Sequence, residues 1–300
     1  MRETEHEERD RPRGRTTRFA QPRAGVSGVA RALVPKQARA LTRRARLRFV
    51  LGRFPDRVVA HDYGGLRLHV WIADPVAEAW YDRDREVLPE LALLRQHGLR
   101  PGARVFDLGA HHAVIALLLA HEVGEQGSVI AVEALSHNVR AGERNKGLNG
   151  ATNLTIVHAA AARNTGEVTF STALNGHVEQ DGRFGVERVH AVSLPELCDT
   201  FGIPNVVYVD VEGQELEVLR GGERVLRQHQ PSLFVEVHVG WGLEEAGGSS
   251  AALIELLDVH GYSCFVRRSD DATFRPLDEA LECLEERHFL IALPGQRRRP

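Results

Sequence analysis

The sequence predicts an α/β fold: a doubly wound, mostly parallel sheet with helices on both faces and an antiparallel strand at its end. Three observations carry that expectation. An apolar run, Val105-Phe-Asp-Leu-Gly-Ala-His-His-Ala113, enters a turn of small residues and opens a helix. A second apolar run, Val129-Ile-Ala-Val-Glu133, follows one helix later and ends in an acid. Strand-like and helix-like stretches then alternate to the C-terminus, the pattern of parallel strands joined by crossover helices.

Residues 1–57 form a separate N-terminal extension. They hold 16 Lys and Arg against 6 Asp and Glu, a balance of +10, while the remainder holds 22 against 35, a balance of −13. The net charge of −3 therefore hides a basic arm on an acidic body. Residues 1 to about 25 lack apolar periodicity and read as disordered. A helix is expected from Val29 to Leu51, or from Pro35, with an irregular apolar stripe through Leu33, Leu41 and Leu47. Such an arm suits nucleic acid, anionic lipid or an acidic partner, or is simply a solvated leader.

Residues 58–300 read as one domain. Alternation over Val58–Ile72, broken at Gly64-Gly65, predicts a β-hairpin. A helix is expected over 86–96, stopped by Gly98, with Pro101-Gly102 before the first core strand. Core strands are expected at 104–108, 128–133, 154–158, 205–211 and 231–238. Helices are expected at 112–122, 136–147, 213–228 and 249–259. Further strands fall at 167–172 and 187–192. Two more, near 262–267 and 288–293, have no long helix after them and so predict a closing hairpin with an antiparallel strand. No run reaches the roughly 18 apolar residues of a membrane span, and the charged N-terminus has no secretory core. Cys198, Cys264 and Cys283 fit neither a disulfide framework nor a zinc pattern, so a reducing, cytoplasmic setting is expected.

In open α/β sheets ligands bind beyond the carboxyl ends of the strands. Four predicted strand ends carry polar side chains: Asp107-Leu-Gly109, Glu133, Asp210-Val-Glu212 and Glu236-Val-His238. The first two suit an adenosine ligand, with bare backbone at Gly109 and a distal acid to accept both ribose hydroxyls. A pyrophosphate would call for more glycines and no acid beside it. Asp107 suits instead a cationic sulfonium and amino group, which points to S-adenosylmethionine.

Asp210 and Glu212 lie two apart on a predicted strand and share a face. Glu236 and His238 repeat that spacing on the next strand. Together they offer a general base, a hard-cation site or hydrogen bonds for a polyol. Alternatively Asp210 or Glu212 caps the following helix. His238, two residues from an acid, is the preferred base. His111-His112 is not read as a metal pair, because adjacent helical residues point apart, and no metal site is assigned. Asn145 and Asn149 read as helix-end residues.

These residues resemble the FkbM-type S-adenosylmethionine-dependent methyltransferases. Four blocks carry the likeness across roughly residues 58–293: Val105-Phe-Asp-Leu-Gly-Ala110; Gly127-Ser-Val-Ile-Ala-Val-Glu133 with Asn138 and Asn145…Asn149-Gly150; Val209-Asp-Val-Glu-Gly-Gln-Glu-Leu-Glu-Val-Leu-Arg-Gly221; and Pro231-Ser-Leu-Phe-Val-Glu-Val-His238. The resemblance implies a seven-stranded class I methyltransferase (Rossmann-like) fold and O-methylation of a hydroxyl on a sugar, glycolipid or polyketide. It implies a cofactor site at Asp107, Gly109, Ala110, His111, Glu133, Asn138 and Ala160. It also implies a catalytic group at His238, Asp210, Glu212 and Glu236, and an acceptor side at Glu86 and Tyr208. The chain departs from the family at His111, where Asn is usual, at Ala113, where Gly is usual, and at Tyr208, where Lys is usual. Ala113 fits if its backbone is helical with negative φ. Two rival readings remain: a methyltransferase-like binding protein without catalysis, and an RNA methyltransferase guided by the basic arm. The acidic body and the lack of a nucleic-acid motif argue against the second.

Overall fold

The computed structural model describes residues 51–171 and 186–295. The predicted arm helix lies outside them up to residue 50. The elements follow in chain order as β1 (Arg57–Tyr63), β2 (Leu66–Ile72), α1 (Pro75–Tyr81), α2 (Pro89–Leu94), β3 (Arg104–Leu108), α3 (Val114–Val123), β4 (Ser128–Glu133), α4 (Ser136–Leu148) and β5 (Leu154–His158). Next come β6 (Ala160–Ala161), β7 (Gly166–Ser171), β8 (Val186–Val192), α5 (Leu194–Phe201), β9 (Val206–Val209), α6 (Glu215–Gly221) and α7 (Glu223–His229). The chain closes with β10 (Ser232–Val237), α8 (Ser250–Val259), β11 (Tyr262–Arg268), β12 (Arg275–Pro276) and β13 (His288–Pro294).

The main sheet runs β12-β11-β13-β10-β9-β3-β4-β5. Its centre is parallel, and β13 pairs antiparallel with both β10 and β11. Seven strands match the expectation, with the two-residue β12 added at one edge. From β3 the chain proceeds outward through β4 and β5, then returns to the other side of β3 for β9 and β10. That reversal opens a crevice beyond the ends of β3 and β9.

Alternating side chains send the sheet's apolar groups to two cores. Val105, Val129, Ala131, Tyr208 and Phe234 face one core, shared with α3 and the β1–β2 hairpin. Phe106, Ile130, Val132, Val207 and Val235 face the other, shared with α5 to α8. Phe106, Leu108 and Phe234 are fully buried, each contributing about 1.5–3 kcal/mol by burial.

The hairpin turns at Gly64-Gly65 as expected. Its docking was not legible in the sequence. Asn145 and Asn149 of α4 read the open edge of β2 as a neighbouring strand would. Asn145 Oδ1 accepts from Trp71 N at 2.7 Å, while Asn149 accepts from His69 N and donates to His69 O. Asn145 Nδ2 also donates to the carbonyl of His112, in the turn after β3.

Three local expectations are corrected. Helix α1 was missed, although Asp74 caps it by accepting from Val76 N and Ala77 N, with Pro75 at its first position. The helix expected at 86–96 is only α2, entered through Pro89. The helix expected at 213–228 is two, α6 and α7, parted at Gly222. A side chain at Gly221 would meet the backbone of Arg163, and one at Gly222 would meet Leu194. Among the described residues, no helix is long and apolar enough to cross a membrane.

Candidate active site

The close approach of β3 and β9 fixes the floor of the crevice. Gly109 has φ +94°, and a Cβ there would lie 1.7 Å from the carbonyl oxygen of Asp210, so only glycine fits. Beyond it the turn alternates into the left-handed region at His111 (φ 48°) and Ala113 (φ 59°). The condition of negative φ for a comfortable Ala113 is therefore not met. The methyl group is carried at a strained position, the one where the family has Gly. Space for it comes from α4, where a Cβ on Gly142 would sit 3.2 Å from that of Ala113.

Two adjoining cavities lie over this turn. The larger, about 560 Å³, is floored by Asp107, Gly109 and His111 and reaches Tyr208, Asp210 and Glu236. The smaller, about 50 Å³, is bounded by Glu133, Ala134, Ala160 and Glu212. Trp80, Gly109, His111 and Asp210 line both. The sequence-predicted cofactor residues thus come together, with Ala110 on the floor of the larger cavity. Asn138 is buried behind Glu133 and donates to it.

Glu133 is held by the turn itself. Its Oε2 accepts from His111 N at 2.8 Å, and its Oε1 from Leu135 N at 2.7 Å and Asn138 Nδ2 at 3.3 Å. A carboxylate offers about four acceptor sites, and these three bonds fill most of them. Burial pushes the Glu133 carboxyl up to about 7, against those hydrogen bonds. Asp107 also rises to about 7, through burial and then the neighbouring charge of Glu133. Its Oδ2 is buried with no hydrogen-bond partner. An orphaned acid on the floor of a cavity is a seat for a cation. S-adenosylmethionine, with its sulfonium and amino charges, fits that seat.

His111 is buried, its Nδ1 3.1 Å from Tyr81 Oη and its Nε2 unpartnered. Burial drives its pKa well down, so the ring is neutral. It stacks on His112 with ring centres 4.2 Å apart and planes 7° from parallel. The expectation that the two rings point apart fails, because the turn there is not helical.

At the other wall, β9 ends at Val209, so Asp210 and Glu212 do not share a strand face. They lie in a turn, with φ 50° at Glu212 and 95° at Gly213. Neither caps the following helix. Gln214 stands at that position, and Glu215 accepts from Gly213 N. Asp210 keeps a third of its side chain exposed. Burial and the charges of Glu236 and Glu212 raise its pKa well above the carboxylate range. Burial raises Glu212 too, against the pull of His238.

His238 lines neither cavity and is 1% exposed. Its Nδ1 is 2.7 Å from Glu215 Oε1, and its Nε2 lies 3.6 Å from Asp210 and 3.5 Å from Glu212. Burial opposes a charge on the ring, but Glu215 and the surrounding acids leave its pKa raised. It therefore stands behind the acids rather than in front of them. Arg287 Nε donates to Glu236 at 2.6 Å.

On the acceptor side, Tyr208 stacks on Phe234 and donates to buried Glu90 at 3.0 Å. Glu86 is exposed at the rim. Reasoning from sequence missed Trp80, Tyr81, Glu90, Glu215 and Arg287. The first two had a local signal in the Asp74-Pro75 cap that announces their helix, and Glu215 lies in the Val209–Gly221 block that carries the family likeness.

No curated protein matches the sequence. Among solved structures, the chain is similar to an FkbM methyltransferase from Methylobacillus flagellatus KT, at 17% identity and a TM-score of 0.42 over 63% of this chain and 43% of that one. It is also similar to fibrillarin from Aeropyrum pernix in complex with S-adenosyl-L-methionine, at 14% identity and a TM-score of 0.41 over 81% and 86% of the two chains. This chain thus spans less than half the length of the Methylobacillus protein. The profile of the methyltransferase FkbM domain matches residues 107–264, more than half of the chain and all four strand ends of the site. The chain belongs to the FkbM methyltransferase family, whose cofactor is S-adenosylmethionine.

Proposed function

We propose that the chain is an O-methyltransferase acting on a hydroxyl of a small molecule or glycan. The observation that carries the reading is Asp210, a partly exposed carboxylate common to both cavities, whose pKa is raised by burial and by the charges of Glu236 and Glu212. A carboxylate raised in this way is a stronger base towards a hydroxyl proton than an ordinary one. S-adenosylmethionine supplies an electrophilic methyl group on its sulfonium. Glu133, Asn138 and Ala160 hold its adenosine side; Asp107, Gly109, Ala110 and His111 hold its amino-acid side. Asp210 takes the acceptor's proton. His238, set by Glu215, balances the charge that Asp210 carries before it takes that proton, while Glu212 and Glu236 with Arg287 orient the acceptor. Tyr208 and Glu86 border the acceptor, and Trp80 and Tyr81 exclude water. Positioning supplies much of the acceleration. Catalysis belongs to residues 58–300, and three unpaired cysteines suit a cytoplasmic setting.

The test is methyl transfer from labelled S-adenosylmethionine to a panel of sugars, glycolipids and polyketides, with the product located by fragmentation mass spectrometry. Wild-type protein should place the label on oxygen, and Asp210→Asn should lose at least about a hundredfold in rate. A methyl group on nitrogen or carbon, or an undiminished Asp210→Asn rate, refutes the proposal. The left-handed Ala113 is the one feature that favours a binding protein without catalysis, and any transfer sinks that alternative.

A further inference from the structure

Asp74, His112 and His137 form a second polar cluster, and none of the three lines either cavity. Asp74 sits between β2 and α1, His112 in the turn after β3, and His137 in the first turn of α4. Three segments far apart in sequence thus bring one carboxylate and two imidazoles to a point. Asp74 Oδ1 is consumed by the cap of α1, accepting from Val76 N and Ala77 N at 2.8 Å each. Its Oδ2 faces both rings, 3.1 Å from His112 Nε2 and 2.9 Å from His137 Nε2.

His137 makes an ordinary hydrogen bond across that distance. His112 does not. Its ring is fully buried and neither nitrogen makes a well-directed hydrogen bond, although Nε2 lies 3.1 Å from Asp74 Oδ2. The distance is right for a hydrogen bond and the direction is wrong. A buried imidazole so placed forfeits its water without replacing it. Coordination removes the conflict, because a metal ion sits off the line joining two of its ligands. Tetrahedral bonds of about 2.0–2.1 Å set neighbouring ligand atoms about 3.3 Å apart, close to the two separations here. The three ligand atoms all lie within 4.8 Å of one another.

We propose that Asp74, His112 and His137 bind a divalent transition-metal ion, Zn²⁺ or a first-row neighbour. Two imidazoles with one carboxylate favour such ions over Mg²⁺ or Ca²⁺. The fourth position opens beside His137, whose side chain is 20% exposed. The ion would staple the start of α1 to the cofactor turn and to α4. Because α1 carries Trp80, which borders both cavities, and Tyr81, which borders the larger, the staple fixes that aromatic wall without entering the cavities. The site takes no part in methyl transfer, and its test needs no acceptor.

That test uses the full chain, stripped with a chelator and titrated with Co²⁺ by absorbance, then with Zn²⁺ in competition. Wild-type protein should take up one equivalent of Co²⁺, displaced by Zn²⁺. His137→Ala and Asp74→Asn should each weaken uptake by about tenfold or more, and Asp210→Asn should leave it unchanged. His112→Ala empties a fully buried position, so partly exposed His137 carries the test, with circular dichroism to show that its variant is folded. No stoichiometric uptake would make the trio a hydrogen-bonded network only and overturn the proposal. Uptake lost in Asp210→Asn but kept in His137→Ala would overturn it too, moving the ion to the Asp210, Glu236 and His238 group.

Discussion

Replacing Asn145 by Ala tests how the hairpin is tied to the cofactor turn. The side chain is fully buried and makes one bond to each partner: Oδ1 accepts from Trp71 N, and Nδ2 donates to His112 O. Truncation leaves both backbone groups without their partner. A stranded donor or acceptor costs about 1–3 kcal/mol, so the variant should lose about 2–6 kcal/mol. Asn149→Ala removes bonds to His69 at a more open position, where water replaces them, and should cost about 1 kcal/mol or less. Urea unfolding followed by circular dichroism measures both. With a slope of about 3 kcal/mol/M, Asn145→Ala should lower the midpoint by about 0.7–2 M. Hydrogen exchange should quicken at Trp71 and in the turn, and S-adenosylmethionine should bind more weakly because His112 O no longer has its anchor. Equal losses in the two variants would refute the reasoning, since burial would then not set the value of the bond.

Two further predictions concern charge. Asp107 and Glu133 have folded pKa values of about 7, above their unfolded values of about 4. The folded state therefore holds more protons than the unfolded state between those limits, and the ligand-free protein should lose stability as pH rises from about 4 through 7. Asp107→Asn should flatten that fall in thermal melts and also abolish the stabilisation that S-adenosylmethionine gives; a melt with the wild-type slope would count against the uncompensated acid. Glu215→Gln should lower the His238 pKa, because the Glu215 carboxylate is the foremost group raising it. Proton NMR of the imidazole reads the shift, and an unmoved titration would show that the other acids hold the charge.

What was legible in the sequence was whatever is written locally. The alternation over 58–72 gave the hairpin, and the apolar runs gave every central strand to within two residues. The single glycine and the acid of the turn stand on the floor of the larger cavity, where only Gly109 tolerates the approach of Asp210. Reading failed where one segment overrules another. The single helix expected over 213–228 is two, parted at Gly222, where a side chain would meet Leu194. The family pattern named His238, yet only packing showed that Glu215 and Asp210 stand either side of it.

The sequence by itself thus determined the class of fold, the cofactor and the set of acids at the strand ends, since period and strand-end chemistry are properties of contiguous residues. Tertiary structure alone decided which acid faces the cavity, where Ala113 finds room, and that Asp74, His112 and His137 meet. Those outcomes depend on distances between residues tens of positions apart, which the chain sets only when it packs.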